Sequence, residues 1–135
     1  MNMKILSVDT SAVCASVAVT EDEKIISLCS TNARLTHSRT ILPMIDSALK
    51  NSETGLSDID CFACSVGPGS FTGIRIGVAA IKGLSDGTGK KCISVSTLEA
   101  LAYNLLGQDV IACSVMDARC SQVYCAIFDV SQNCV

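Results

Sequence analysis

Tryptophan is absent from this chain, and aromatic residues as a whole are scarce, with three Phe and two Tyr among 135 residues. The core must therefore be built from Ile, Val, Leu, Ala and Cys, a composition that favours sheets covered by helices. Charged residues are also few, at 17% against a hydrophobic fraction of 49%, which excludes a disordered tail and a coiled coil. We expect a compact globule with a real core.

An excess of positive charge is missing too, because the formal net charge is −3. Such a chain lacks a basic face able to neutralise many phosphates, so we expect it to bind no RNA or DNA on its own. Apolar runs long enough to cross a membrane are absent, and residues 1–8 do not have the basic and apolar pattern of a signal peptide. We therefore expect a soluble cytoplasmic protein without membrane contact.

Histidine occurs once, as His37, which excludes a metal site with two histidines and leaves one candidate for a Ser-His-Asp triad. Nine cysteines are an odd count, but most lie in or beside apolar runs, where a free thiol behaves as a small hydrophobe. Cys61 and Cys64 share a predicted strand and point to opposite faces, so we expect no metal or redox site there. Cys120 and Cys134 are expected to be exposed. The cysteines expected in the core are Cys14, Cys29, Cys61, Cys64, Cys92, Cys113 and Cys125.

Hydrophobic periodicity predicts three strands, then a helix, a strand, a helix, a strand and a helix, and finally a second hairpin. This order indicates an α/β lobe with a mixed five-stranded sheet and helices packed on it. The predicted strands are Met3 to Asp9, Val13 to Thr20, Lys24 to Ser30, Asp60 to Val66, Lys91 to Val95, Val110 to Met116 and Gln122 to Val130. The predicted helices are Thr40 to Lys50, Phe71 to Leu84, and one that begins after Ser96, where Ser96 and Glu99 form an S-x-x-E capping box.

The last hairpin is similar to the first. Asp9 and Asp117 each end an apolar strand, and Val17-Ala18-Val19 and Cys125-Ala126-Ile127 follow them at equal offsets. A repeat that begins anew indicates a duplication. We therefore divide the chain into a lobe over residues 1–108 and the opening hairpin of a truncated second lobe over residues 109–135.

The stretch Gly67-Pro68-Gly69-Ser70 joins a predicted strand to the helix that begins at Phe71. Glycines allow a tight turn here, and the free N–H groups of a helix N-terminus can hold an anion. The spacing matches neither the dinucleotide-binding nor the P-loop pattern, so a phosphate site and a purely structural turn both stay open. Asp9-Thr10-Ser11 has the same two interpretations: a Mg²⁺ and phosphate site, or an ordinary turn.

The second helix has two apolar or small faces. Phe71, Ile74, Val78 and Ile81 form the face that we expect on the sheet. Gly73, Gly77 and Ala80 form another, on which a second helix can approach closely. That neighbour is either the predicted helix around Ile41 to Leu49 of the same chain or a helix of another subunit.

Five stretches together resemble the bacterial TsaB (YeaZ) family, and the likeness extends from Met3 to about Phe128. The G-P-G-S-F-T-G-x-R-x-G run is the specific one. The resemblance implies a duplicated ribonuclease H-like fold of the actin-like, Hsp70-like and sugar-kinase-like type, in members longer than this chain. The stretches are Ile5 to Ser11, His37 with Leu42 to Ile45, Ser65 to Gly77, Ser94 to Ala100 and Met116 to Arg119.

The resemblance further implies a non-catalytic scaffold subunit that supports a TsaD-type paralogue in forming N6-threonylcarbamoyladenosine next to the anticodon of tRNA. A TsaE-type ATPase joins the complex, tRNA is reached only through it, and the chain forms a homodimer in isolation. TsaD-type enzymes hold a metal through H-x-x-x-H, where this chain has Thr97 and Leu101, so we expect neither a metal nor a catalytic residue. The family pairs through its first two helices, which makes the candidate partner-binding residues Leu42, Ile45, Gly73, Ile76, Gly77 and Ala80.

Two other functions stay open. Relatives of the fold bind ATP between lobes, which makes a weak ATP or ADP site with Mg²⁺ the main alternative. The other is a glycoprotease-like metallopeptidase, for which the sequence lacks the ligands. The candidate nucleotide-binding residues are Asp9, Thr10, Ser11, Gly67 and Gly69.

Overall fold

The computed structural model describes residues 2–32 and 37–131. Its elements follow the predicted order of strands and helices. Short 3₁₀ turns at Leu56–Asp58 and Tyr103–Leu105 connect them. The strands are β1 (Lys4–Asp9), β2 (Ala15–Glu21), β3 (Lys24–Thr31), β4 (Cys61–Gly67), β5 (Lys91–Ser96), β6 (Val110–Arg119) and β7 (Gln122–Val130), and the helices are α1 (His37–Asn51), α2 (Phe71–Thr88) and α3 (Thr97–Ala102).

Five strands form one mixed sheet, as predicted, and the structure shows that their order is β3-β2-β1-β4-β5. The first three strands are antiparallel, and β1, β4 and β5 are parallel. The parallel pairs follow from the chain order, because α1 and α2 supply the crossovers that parallel strands require. As a result, Asp9 at the end of β1 and Gly67 at the end of β4 lie at the same edge of the sheet.

The main core lies between one face of this sheet and the two long helices. Alternate residues of β1 and β2 point into it, because side chains of a strand alternate between faces. Ile41 and Ile45 of α1 and Ile81 of α2 pack against them. The buried members of this core are Leu6, Val8, Val17, Val19, Ile41, Ile45, Ala48, Ile59, Phe62, Cys64 and Ile81.

The buried face of helix α2 overlaps only in part with the face that the sequence predicted. The buried row is Gly73, Gly77, Ile81 and Ser85, whereas Phe71 is 75% exposed. The Arg75 guanidinium carbon lies 5.2 Å from the centre of the Phe71 ring, a cation–π contact on the outside of the helix. The apolar pattern correctly placed Ile81, which is buried, and Val78, which packs against the core. It missed Gly73 and Gly77, because the helix backbone itself approaches the end of β1 there, and only glycine permits this approach.

The second hairpin forms its own two-stranded sheet, β6-β7. Ala112 and Val130 on one face pack against Ala102 of α3. Asp9 pairs with Ser16, seven positions later, but Asp117 pairs with Val123, only six positions later. The pairing registers of the two hairpins thus differ by one residue, while the repeat itself and the division of the chain at residue 108 stay predictions.

The cysteines are less buried than the sequence indicated. Cys64 is buried and Cys29 and Cys61 are half-buried, but four of the expected core cysteines are exposed. The reason is position: Cys14 lies in a turn, Cys92 lies on the edge strand β5, and the other two lie on the open face of the hairpin. Cys120 is exposed, as predicted, and Cys134 lies outside the described residues. The exposed cysteines of the predicted core are Cys14, Cys92, Cys113 and Cys125.

Within residues 2–32 and 37–131, no helix is both long and apolar enough to span a lipid bilayer.

Candidate functional site

The edge of the sheet at which β1 and β4 end collects most of the polar residues that the sequence singled out. Asp9 Oδ1 accepts a hydrogen bond from the backbone N–H of Ser11 at 2.8 Å. The same oxygen accepts the hydroxyl of Ser65 at 2.5 Å. The first bond is the Asx turn that was one of the two interpretations of Asp9-Thr10-Ser11. The carboxylate thus joins the end of β1 to the end of β4.

Thr10 connects this turn to helix α2. Its hydroxyl donates to the carbonyl oxygen of Gly73 at 2.7 Å, and the residue is almost completely buried. A β-carbon at Gly73 would collide with the Thr10 carbonyl oxygen, and one at Gly77 would collide with the Thr10 hydroxyl oxygen. Gly73 and Gly77 therefore allow the backbone of α2 to approach Thr10 closely within the same chain.

The glycine loop before α2 is held against the same turn. Gly67 has a φ of +113°, in the region that favours glycine, and the peptide bond before Pro68 is cis. A β-carbon at Gly69 would strike the Ser11 carbonyl oxygen, which also accepts the backbone N–H of Ser70 at 2.6 Å. The Ser70 hydroxyl then accepts the backbone N–H of Gly73 at 3.2 Å as the N-cap of α2.

An open cleft of about 760 Å³ lies beside this junction, between the turn, the start of α2 and the hairpin. Ser11 and Gly69 line it, whereas the other three candidate nucleotide-binding residues, Asp9, Thr10 and Gly67, are not among its lining residues. His37 also lines the cleft, with Nε2–H donating to the carbonyl oxygen of Ala12 at 2.9 Å. The lining residues are Ser11, Ala12, Val13, His37, Gly69, Ser70, Phe71, Thr72, Gly73, Ile76, Met116, Asp117, Ala118, Arg119 and Tyr124.

The opposite wall of the cleft consists of hairpin residues that sequence reasoning did not nominate as a site. Residues 116–119 end β6 there, and Asp117 Oδ1 accepts the backbone N–H of Arg119 at 2.7 Å. Tyr124 of β7 completes the wall. The signal was available, because Asp117 follows an apolar strand in the way that Asp9 does. Arg119 is the cationic side chain of this wall.

A second concave surface, of about 610 Å³, is an apolar groove between α1, the end of α2 and the 3₁₀ turn that follows α1. Leu42 is 56% exposed on its rim. Lys50 Nζ and Asp46 Oδ2, 2.7 Å apart, form an exposed ion pair beside it. We call this surface the helix groove. Its lining residues are Leu42, Ile45, Asp46, Leu49, Lys50, Glu53, Thr54, Gly55, Leu56 and Leu84.

The candidate partner-binding residues divide into two groups. Leu42 is exposed, and Ile76 and Ala80 are half-buried, so these three present surface. Ile45 is 4% exposed, and the Cβ positions of Gly73 and Gly77 face Thr10. These last three residues pack mainly inside the chain, although Ile45 also lines the helix groove, and the assignment of all six to a partner surface stays a prediction.

Ionisable clusters are sparse in the part of the chain that the structure describes. No group of three or more His, Cys, Asp or Glu side chains there is placed to hold a metal ion.

Thr97, at the start of α3, is buried, and its hydroxyl has no hydrogen-bond partner. Burial, with a smaller effect from Cys92, raises the pKa of the Cys64 thiol above its ordinary value.

Known proteins resemble this chain closely. Residues 29–135 match the family described as TsaD, tRNA N6-adenosine threonylcarbamoyltransferase. The tRNA threonylcarbamoyladenosine biosynthesis protein TsaB of Haemophilus influenzae is 40% identical over 130 residues, which are 91% of this chain and 52% of that protein. The TsaB protein of Escherichia coli is 36% identical over 136 residues, 97% of this chain and 57% of that protein.

A solved structure gives the same result for the fold. YeaZ from Pseudomonas aeruginosa superposes with a TM-score of 0.86 at 29% identity, over 96% of this chain and 62% of that one. The chain thus spans a little more than half the length of the curated relatives that it matches.

Proposed function

We propose that this chain, which belongs to the TsaB (YeaZ) family of tRNA threonylcarbamoyladenosine biosynthesis proteins, is a scaffold subunit that supports a TsaD-type paralogue in modifying tRNA. The observation that carries the proposal is the helix groove, an apolar surface on the two helices through which the family resemblance implies pairing. The paralogue performs the transfer, and this chain contributes binding energy and orientation.

The composition of the groove supports a protein partner. Leu42 and Leu49 of α1 and Leu84 of α2 line it, with the Asp46–Lys50 pair at its edge. An apolar centre beside charged residues is the usual arrangement of a protein interface. The exposed Leu42 is the anchor that we assign to the interface.

The residues at the start of α3 support a non-catalytic role. Thr97 and Leu101 occupy the places where the resemblance puts the metal-binding histidines of the TsaD-type enzymes. Neither a threonine next to an apolar core nor a leucine is a ligand for a catalytic metal. The sole histidine of the chain, His37, instead donates to the carbonyl oxygen of Ala12.

The experiment uses the TsaD-type paralogue encoded in the same genome. Titration calorimetry should give a complex with the wild-type chain, and Leu42→Lys should weaken it by about tenfold or more, because a charge would be buried in the apolar groove. Leu28→Lys is the matched control, since Leu28 is 63% exposed on the opposite face of the sheet. The TsaE-type ATPase is added in a second titration.

Activity supplies the second readout. Threonylcarbamoyladenosine in tRNA, measured by mass spectrometry of nucleosides, should form with the paralogue and the wild-type chain and fall with Leu42→Lys. Modification by this chain without the paralogue, or equal affinity of Leu42→Lys and Leu28→Lys, would contradict the proposal. A wild-type chain that sediments as a dimer through the same groove, and gives way to the paralogue, agrees with it.

A weak ATP or ADP site is the second candidate function, and the cleft favours it. Ser11, Gly69 and Arg119 converge on a space that is large enough for a nucleotide. Titration with Mg-ADP should then show binding that Arg119→Ala weakens and that Lys24→Ala, on the exposed start of β3, leaves unchanged. An unchanged affinity of Arg119→Ala would dismiss this site.

A further inference from the structure

The glycine-rich run at the start of α2 contains residues that the packing of the chain explains and residues that it does not. Gly69, Gly73 and Gly77 each allow a close approach of the backbone to the turn after β1. By contrast, Phe71 is 75% exposed, and Arg75 is exposed beside it. The fold therefore requires the glycines, but it does not explain why an aromatic ring lies in water at the first position of the helix.

The Phe71 ring has one face in contact with a cation and the other face open. The guanidinium carbon of Arg75 lies over the ring, 5.2 Å from its centre, which is a cation–π contact. Because Phe71 is nevertheless largely exposed, the opposite face of the ring is accessible to solvent. A flat aromatic ligand can stack on such a face, as nucleobases do on exposed Phe and Tyr side chains.

The open ring belongs to the cleft between the Asp9 turn and the hairpin. Phe71 lines the cleft at the start of α2, and Tyr124 and Arg119 line the opposite wall. Tyr124 is 40% exposed, so both walls present an aromatic side chain. The chain has only three Phe and two Tyr, and one of each lines this cleft. The cleft is thus rich in aromatic surface for this chain.

The charges around the ring favour an anionic ligand. Within residues 2–32 and 37–131, neither Arg75 nor Arg119 forms an ion pair with a carboxylate. The carboxylate of Asp117 accepts the backbone N–H of Arg119 and leaves the guanidinium group to a ligand. Phe71 is also the first residue of an 18-residue helix, and the positive end of the helix dipole adds to the same field. A ligand with a flat ring and attached negative charge fits this arrangement.

We propose that Phe71 is the stacking platform for the base of a free purine nucleotide bound in the cleft, with the phosphates directed toward Arg119. The inference rests on the nucleotide site proposed above as the second candidate function, and it assigns the residue that holds the base. A purine is favoured over a pyrimidine because its two fused rings cover more of the phenyl face and stack more strongly. A free nucleotide is favoured over a nucleic acid because the net charge of −3 opposes the approach of a polyanion.

Fluorescence tests the stacking directly, because the chain has no tryptophan. Phe71→Trp introduces a single indole at the platform, and a stacked base should quench its emission. Mg-ADP should quench this variant saturably, whereas Mg-pyrophosphate, which has no base, should not. The matched control is Tyr103→Trp, since Tyr103 is 47% exposed and lies outside the lining of the cleft. Its emission should respond to neither ligand.

Titration calorimetry separates the base from the phosphates. Phe71→Ala should weaken Mg-ADP by about five- to a hundredfold, the usual loss for one base stacked on an aromatic side chain, and should leave Mg-pyrophosphate unchanged. Arg119→Ala should weaken both ligands. The wild type should bind Mg-ADP more tightly than Mg-UDP, and this difference should diminish in Phe71→Ala. Because Phe71 is exposed, the circular dichroism of its variants should match that of the wild type.

The results distinguish the platform from the site itself. If Arg119→Ala weakened Mg-ADP and Phe71→Ala did not, the nucleotide site would stand and the stacking role of Phe71 would be wrong. If the wild type bound neither Mg-ADP nor Mg-pyrophosphate, both the site and the platform would be wrong. Equal quenching of Phe71→Trp and Tyr103→Trp by Mg-ADP would also overturn the platform. Tighter binding of a short single-stranded adenosine oligonucleotide than of Mg-ADP would overturn the assignment to a free nucleotide.

Discussion

The hydroxyl oxygen of Thr10 lies where a β-carbon of residue 77 would be, so Gly77 and Thr10 fit together only as a pair. Val8 at the end of β1 adds a methyl group at 3.6 Å from the same point. Through this contact helix α2 approaches the end of β1 at backbone distance. The cleft beside it depends on the same approach, because Gly73 and Ile76 of α2 form part of its lining.

Gly77→Ala should destabilise the chain by about 1–3 kcal/mol, the usual cost of overpacking a core. The physical reason is the collision of the new methyl group with the Thr10 hydroxyl. Urea unfolding followed by circular dichroism measures the change. Thr10→Ala introduced together with Gly77→Ala should recover part of the loss, because it removes the colliding oxygen.

The matched control is Gly83→Ala in the same helix. A β-carbon at Gly83 meets no atom within 4 Å, and alanine is a better helix former than glycine by about 1 kcal/mol. This variant should therefore stabilise the chain. If Gly77→Ala and Gly83→Ala changed the free energy of unfolding equally, glycine at position 77 would not be required for the close approach of α2 to β1.

Gly89→Ala should destabilise the chain by roughly 1 kcal/mol, because residue 89 ends α2 with a φ of +69° that alanine adopts at a cost. Gly87→Ala, two residues earlier and inside the helix, meets open space and should be stabilising for the reason given for Gly83. Thermal unfolding of the two variants should shift in opposite directions. Shifts of the same sign would contradict the assigned end of the helix.

Stability should decline as the pH rises through the alkaline range, in part because of Cys64. Burial raises the pKa of its thiol in the folded chain, so the folded state holds the proton where the unfolded chain, with a pKa of about 8.5, has released it. The stabilisation from the protonated Cys64 thiol is fully present below the pKa of the unfolded chain. It is lost as the pH rises through the higher pKa of the folded chain. Urea unfolding between neutral and alkaline pH should show a shallower decline in the free energy of unfolding for Cys64→Ala than for wild type, and equal declines would contradict the role of the buried thiol.

Ser65→Ala should lower the free energy of unfolding by about 1–3 kcal/mol. The reason is that the Ser65 hydroxyl donates a hydrogen bond to the Asp9 carboxylate at 2.5 Å, and a half-buried charge is destabilising when it loses such a partner. Ser47→Ala, on the exposed side of α1, should stay within about 0.5 kcal/mol of wild type. Chemical unfolding measures both. A small effect at Ser65 would mean that the Ser11 backbone N–H alone satisfies Asp9.

Local signals were enough to predict the regular elements. Alternation of apolar residues predicted β1 to β3, and Ser96 with Glu99 predicted the start of α3, where the Ser96 hydroxyl accepts the Glu99 backbone N–H at 3.4 Å. The end of α2 was placed at Leu84, four residues too early, because the glycines that follow are poor helix formers. The helix actually ends at Thr88, and Gly89, with its left-handed conformation, caps it.

The candidate site was predictable only in part. The glycine loop and the Asp9 turn were identified because their residue types have particular backbone roles, and the structure brings Ser11 and Gly69 together. Which of those residues face the cleft was not predictable, since Thr10 and Asp9 direct their polar atoms into hydrogen bonds inside the chain. The same limit affected the partner surface, where Ile45 is buried and Leu42 is exposed on one helix.

The order of strands and helices, the mixed sheet and the family were all determined by the sequence itself, because periodicity, caps and a specific glycine run are properties of neighbouring residues. Only the tertiary structure decided that Gly73 and Gly77 face Thr10 instead of a partner, and that Cys113 and Cys125 lie on an open surface. The physical reason is that burial depends on segments far apart in the chain. A glycine or a cysteine has the same local pattern whether its neighbour in space is a β-strand or water.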